Sequence, residues 1–336
     1  MRRLPVSLLV LLLILGGAAI YGYRWINNPG EPTGTPVTVA IREGTSATAI
    51  AHTLEREQVI DSALAFRLYL RTKDIGSELK AGEYEMRTNM PFDTILQELR
   101  KGPDIEYVKL VIPEGLNIDQ TAAQVDRLTH ISAADFKAAI TNPAARPRIL
   151  PPQVASLEGF LYPTTYFVEE RETAASLAAR FVSQFEKETS RINLEPAAAA
   201  LGLTPFQILT IASLIEEEAK VDDERTRISA VIHNRLRKGM PLGIDATIQY
   251  AVGKYNAKDL TVSDLAVKSP YNTRLNAGLP PGPISSPRAS SIKAALEPAL
   301  NEDLYFVLTK DCIHHQFSES YTEFLAAKSA QPATCG

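Results

Sequence analysis

Residues 208–219 (ILTIASLIEEEA) constrain this chain more than any other stretch. An apolar helical pattern runs straight into three consecutive glutamates, and a helix cannot give three successive carboxyls the same surroundings. At about 100° per residue, Ile208, Ile211, Ala212, Ile215 and Ala219 form one stripe, widened by Leu214. Glu217 falls opposite that stripe, on the side a surface helix turns to solvent. Glu216 sits off its flank. Glu218 falls between Ile211 and Leu214, on the stripe's shoulder. A carboxyl among apolar side chains is disfavoured in its charged form, so its pKa should rise. An acid still protonated near neutral pH is suited to proton donation. The plainer reading, an acidic run on a solvated face, stands against this until other motifs are weighed.

The N-terminus addresses location. Residues 1–3 (Met-Arg-Arg) precede a run, residues 4–26, in which only Arg24 is charged. About 20 apolar residues span a bilayer as a helix. Arg2 and Arg3 should hold residues 1–3 in the cytoplasm, with Tyr21, Tyr23 and Trp25 as an interfacial belt at the far end. A cleaved signal peptide ending at the small residues 16–19 is the competing expectation. Apolar length and aromatic cluster favour an uncleaved single-pass anchor in the cytoplasmic (inner) membrane. Both readings export the rest of the chain.

Composition narrows the partners. With 45% hydrophobic residues, 22% charged residues and net charge −4, the chain has no basic bias towards nucleic acid. The exported part is long enough for two domains. Export permits a disulfide between Cys312 and Cys335, though a tail bond and two free thiols fit equally. His314 and His315 are adjacent, and neighbours on a strand face opposite ways, which argues against a metal site.

Residues 27–36 (NNPGEPTGTP) read as a linker. Beyond them, three stretches share the order strand, turn, capped helix. Residues 37–60 offer Thr45 or Ser46 as N-cap, residues 82–102 carry Pro91 near the first helical turn, and residues 108–128 offer Asn117 or Asp119. An amphipathic helix, residues 61–73, lies between the first two. Such units predict a compact α+β module. Residues 157–167 (LEGFLYPTTYF) are turn-rich and aromatic. Thr204 and Pro205 open the glutamate helix, a second helix follows over 222–238, and the chain closes with strands near 304–309 and 314–318 and a short helix. Residues 278–284 (GLPPGPI) are stiff, because two adjacent prolines fix the backbone and cannot donate hydrogen bonds.

The motifs together resemble the endolytic murein transglycosylases of the YceG-like (MltG) family. They are IPEG at 112–115, EGFLYPTTY at 158–166, ASLIEEEA at 212–219, ISAVIHNRLRKGMPLGIDATIQY at 228–250, SPYNTR at 269–274 and GLPPGPISSP at 278–287. Thr164 and Ala246 depart from the family pattern, which commonly has aspartate and proline there. The resemblance implies an α+β chain built from a transmembrane helix (4–26), a linker (27–36), a LysM-like strand–helix module (37–103) and a catalytic domain (104–336). It implies cleavage of peptidoglycan glycan strands between N-acetylmuramic acid and N-acetylglucosamine, leaving 1,6-anhydromuramic ends without metal or cofactor. The second glutamate of the family's E-x-E motif falls on Glu218, in agreement with the helix-face argument.

Smaller expectations attach to other residues. Glu216 either tunes Glu218 or orients substrate, or else pairs with Arg225 or Arg227. Asn234 and Arg235 either hydrogen-bond sugar or fix the glutamate helix. Asp245 is a second cleft acid or a turn cap. Tyr271 and Asn272 suit sugar stacking and amide recognition, while Glu114 and Glu158 shape turns or the groove. Peptidoglycan synthases are candidate partners. The rivals are a hydrolysing muramidase, with Asp245 or Glu216 activating water, and a non-catalytic peptidoglycan-binding scaffold.

Overall fold

The structure, a computed structural model, describes residues 34–73, 79–103, 106–141, 146–255 and 260–330, besides Gly17. The expected span, residues 4–26, lies outside the described residues but for Gly17. Among the described residues no single helix is long and apolar enough to cross a membrane. The fold is mixed α+β, and the chain divides into two compact units, Met1–Ile105 and Glu106–Gly336.

The first unit runs β1 (Pro36–Ile41), α1 (Ala47–Arg56), α2 (Ala63–Thr72), β2 (Gly82–Arg87) and α3 (Phe92–Lys101). β1 and β2 pair antiparallel, with Val39 opposite Tyr84. Strand alternation turns Val39, Ile41, Tyr84 and Met86 inward. Ser46, not Thr45, caps α1: its Oγ accepts from the Ala49 N–H at 3.3 Å. Phe66 is fully buried and its ring meets that of Phe92 edge-on at 5.1 Å. Fully burying one such side chain stabilises by about 1.5–3 kcal/mol.

The third strand–helix stretch opens the second unit instead. Its elements are β3 (Tyr107–Val111), α4 (Ile118–Leu128), α5 (Ala133–Thr141), β4 (Thr165–Glu169), α6 (Ala174–Ser190), α7 (Leu194–Ala200), α8 (Pro205–Glu218), α9 (Arg225–Arg237), α10 (Asp245–Val252), α11 (Val262–Leu265), α12 (Ala289–Leu296), β5 (Tyr305–Leu308), β6 (His315–Ser318) and α13 (Tyr321–Ser329). A 3₁₀ turn, Asp222–Glu224, precedes α9. β3 pairs antiparallel with β4, and β5 with β6. Asn117 caps α4 in a reciprocal capping box with Gln120. Cys312 is disulfide-bonded, and Cys335, the other cysteine of the chain, lies outside the described residues.

α8 is the pivot of this unit. Thr204 and Gln207 form a capping box and Pro205 occupies the first helical turn, as the sequence suggests. The helix packs against α7, α9, α10 and α12. Every residue from Ile208 to Glu216 is buried, Thr210 and Ser213 included. Over these residues the helix is covered on all sides, and its last turn, at Glu217, reaches solvent. The interior hydroxyls are satisfied along the helix: Thr210 donates to the Phe206 carbonyl at 2.9 Å and Ser213 to that of Thr210 at 2.7 Å.

Candidate active site

Three sequence motifs are laced together around the C-terminal end of α8. Ser213 Oγ accepts from the Ile284 N–H at 3.1 Å, tying the proline-rich segment to the helix one turn before Glu217. The Gly115 N–H donates to the Ser286 carbonyl at 3.0 Å, and the Ser286 N–H to that of Leu116 at 2.9 Å. A β-carbon on Gly159 would stand 2.6 Å from Cβ of Pro283, and Gly159 has φ +85°. Only glycine accepts both that approach and that backbone. Gly115, with φ +74°, is similarly bare: a β-carbon there would lie 3.2 Å from Glu217 Oε1.

The three successive glutamates have three different surroundings. Glu216 is buried and ion-paired. Its carboxylate accepts from Arg288 Nε at 2.9 Å, the Arg288 N–H at 3.0 Å and Ser291 Oγ at 2.8 Å, with Arg225 Nη1 3.6 Å away. The expected partnership with Arg225 is present, while Arg227 pairs with Asp303 instead. Glu216 therefore locks α8 to α9 and α12, and its lone pairs are committed.

Glu218 is half-buried and makes no hydrogen bond with a described residue. Burial lifts its carboxyl to about 7, and the charges of Asp245 and Glu217 push the same way against Lys220 and Arg274. Glu217 keeps solvent access, as the helix pattern implies. That access opens into a recess of about 30 Å³ lined by Gly115, Asn117, Gln249 and Tyr250, room for about one water. Exposed by area yet enclosed by protein, Glu217 is raised by desolvation to about 7, and Glu216 adds to the rise. Ser285 lowers it by approach, although its buried hydroxyl meets no acceptor in hydrogen-bond geometry. The expected solvent side is thus where Glu217 lies, though at the mouth of a recess.

A further acid, Glu158, also reaches about 7. It is 5% exposed, and burial dominates the shift. Its carboxylate accepts from the Ile118 N–H at the start of α4 (3.1 and 3.3 Å) and from the Tyr250 hydroxyl (3.1 Å). It is a groove-shaping residue, as expected, and it fixes an aromatic ring as well. The rings of Tyr250 and Tyr271 lie 4.9 Å apart. Burial also raises both tyrosines, so they stay neutral donors.

The remaining expected residues divide. Asp245 opens α10 and accepts from Arg274 Nε and Nη2 at 2.8 and 2.6 Å, close enough to Glu218 to raise it. It is a paired acid beside the proton donor candidate. Asn272 is 0% exposed: its amide donates to the Leu265 and Val267 carbonyls and its Oδ1 accepts from the Arg274 N–H. A buried amide with these bonds made cannot read an acetamido group, so that expectation is corrected. Asn234 is 2% exposed and donates to the Asn301 and Asp303 carbonyls. Arg235 donates to the Pro241, Leu242 and Leu304 carbonyls and lies over the Tyr305 ring. Both donate to loop carbonyls, and Arg235 also senses the charge of Glu218 at the end of the glutamate helix. Arg288, Arg274 and Tyr250 were missed by sequence reasoning. The first sits directly after the proline-rich motif and the other two end motifs quoted above, which was the available signal. Among the described residues no three metal-ligating side chains come together.

An all-round buried helix ending in perturbed carboxyls, walled by glycine–proline loops and tyrosines, defines a single-helix acid site on an α+β scaffold. The chain belongs to the YceG-like family, whose profile matches residues 39–330. A Bacillus subtilis protein named endolytic murein transglycosylase is 34% identical, covering 88% of this chain and 85% of its own length. A Streptococcus pneumoniae protein of the same name is 32% identical over 91% of this chain, which spans 61% of that longer relative. A crystal structure of a YceG-like protein from Listeria monocytogenes matches with TM-score 0.59 and 32% identity, covering 88% of this chain and 99% of that one.

Proposed function

We propose that this chain cuts peptidoglycan glycan strands internally as a lytic transglycosylase, with Glu218 as general acid and then general base. The observation that carries this is Glu218 itself. It is a carboxyl at a helix end, uncommitted to any hydrogen bond with a described residue and lifted to about 7. Proteins of the same family bear the matching name.

The chemistry needs one proton-transfer group. Protonated Glu218 donates to the glycosidic oxygen as the bond from muramic C1 breaks. The C6 hydroxyl of the same sugar closes on C1, and the Glu218 carboxylate takes its proton. Atoms balance without water: one strand ends in the 1,6-anhydro ring, the other in a free hydroxyl, and Glu218 is again protonated. Holding the nucleophile within the substrate makes the attack intramolecular. Tyr250 and Tyr271 supply ring faces for the sugars.

The commitments of Glu216 and Asp245, the two acids expected to activate water in a hydrolase, support this over hydrolysis. A hydrolase needs a second carboxylate free to activate water. Glu216 is enclosed by Arg225, Arg288 and Ser291, and Asp245 is held by Arg274. The β–α–α–β order of β1, α1, α2 and β2, with α3 following, supports reading the first unit as a LysM-like glycan holder. The apolar run at 4–26 supports a single cytoplasmic-membrane anchor that would bring the enzyme near peptidoglycan synthases. The test is digestion of uncrosslinked strands followed by mass analysis of the new ends. Anhydro ends are expected; hydrolysed ends alone would make the chain a muramidase, and no cleavage a binding scaffold.

A further inference from the structure

We propose that the outer face of the β3–β4 ribbon is a second glycan-binding surface, where Tyr107 and Phe167 stack sugars of the strand being cut; this rests on the peptidoglycan reading above. Tyr107 and Phe167 are 52% and 55% exposed, an unusual state for two large rings in contact. Their centroids lie 6.3 Å apart with planes at 80°, so the pair forms a corner rather than a closed stack. In front of it lies an open hollow of about 770 Å³, unlike the small recess at Glu217. Ligand sites commonly fall in that size range.

The rim is polar and already ordered. Arg180 Nη1 donates to the Phe167 carbonyl at 3.0 Å and to Glu172 Oε2 at 2.6 Å, and Ser176 Oγ donates to Glu172 Oε1 at 3.2 Å. Glu172 is 6% exposed at its side chain. Aromatic faces beside fixed hydrogen-bonding groups of both charge signs suit a neutral, hydroxyl- and amide-rich ligand. An anionic lipid surface would instead call for cations in excess.

The occupant follows from connectivity. Val111 and Thr165, paired across the ribbon, lead directly into the two loops, 112–115 and 158–164, that line the acids. Tyr107 stands four residues back along β3, about 13 Å at roughly 3.3 Å per residue. On this proposal a strand that continues past Val111 along the ribbon meets the aromatic corner, whereas an oligomer held only at the acids does not. The surface therefore favours long strands over short ones.

The test compares the full chain with a Tyr107→Ser, Phe167→Ser double variant on uncrosslinked strands of two lengths, one long and one of two disaccharides. KM for long strands should rise at least about tenfold, since both aromatic contacts are lost, with kcat and the short-oligomer KM unchanged. Phe167→Trp, which keeps a ring, should retain the parent KM. Equal KM values for parent and double variant on long strands overturn the second surface, as does a loss confined to vesicle binding. Absence of any cleavage by the parent fails the transglycosylase reading itself, so the two failures are distinguishable.

Discussion

Arg288 clasps Glu216 with both its backbone N–H and its guanidinium, at 3.0 and 2.9 Å, and so fastens the residue after the rigid proline loop to the helix carrying the acids. The carboxylate is 3% exposed and Arg225 behind it 5%. Removing the Glu216 charge leaves buried Arg225 with Asp222 alone, and Arg288 with Glu114 and Asp222. Glu216→Gln should therefore destabilise the protein by about 1–3 kcal/mol, read by urea unfolding. Any protein that remains folded at low temperature should still cut strands; a stable but inactive variant would move Glu216 into the chemistry.

Glu218→Gln keeps size and shape but cannot shuttle a proton. Its rate should drop by roughly 10²–10⁴-fold, with the melting temperature held or raised because a neutral amide replaces a carboxyl that resists ionisation. Counting 1,6-anhydromuramic ends by mass gives the rate. Parent-level activity would remove the acid from this position.

Glu217→Gln tests the tuning. The charge of Glu217 helps raise Glu218, so removing it lowers the Glu218 pKa. The donor form is then lost at lower pH, and the alkaline limb of the kcat/KM profile should move down while the maximum rate survives. Burial remains the larger cause, so the limb should not fall to the ordinary carboxyl range. An unmoved limb would mean that the two carboxyls do not sense each other.

The acids also predict how stability depends on pH. Glu158, Glu217 and Glu218 are raised from 4.5 to about 7. Between those values the folded chain holds protons that the unfolded chain has released. Their contribution is full below about 4.5 and is lost as pH rises through about 7. His233, held neutral by burial, slopes the opposite way, so the readout must be differential. Glu158→Gln should flatten the fall in stability between pH 5 and 8 relative to the parent, measured by denaturation midpoints. An unchanged slope would mean that Glu158 is ionised in the fold.

Gly159→Ala should cost on the order of 1–3 kcal/mol or more, from the positive φ and the collision with Pro283. Differential scanning calorimetry reads it directly. Gly202→Ala shares the positive φ but meets nothing within 4 Å, so it isolates the backbone part of that loss.

Much of this was legible in the sequence because local chemistry decided it. Ser46, Asn117 and Thr204, each offered as a cap by the sequence, all accept hydrogen bonds as N-caps. Glu218 stood out because a carboxyl between Ile211 and Leu214 needs a reason. What stayed hidden was tertiary. The pattern of α8 gives one apolar stripe, but it cannot reveal that the 284–286 segment and α12 cover the opposite side. The pattern therefore put Glu217 on the solvent side, where it lies, without showing the recess it enters. Asn272 and Asn234 looked like sugar readers because the carbonyls that occupy their amides, Leu265, Val267, Asn301 and Asp303, belong to loops whose paths no local pattern encodes.

α8 ends at Glu218, and Ala219 turns away in an extended conformation, φ −76° and ψ 115°. The peptide dipoles of the whole helix therefore converge on the three glutamates, with about half an elementary negative charge at that end. The fold has put its acids where a helix repels anions. This field favours the bound proton independently of burial, so water entering with a substrate would not discharge Glu218 entirely. A chain change that continued the helix past Ala219 would carry the negative pole away and weaken the proton's hold without touching a side chain in the site.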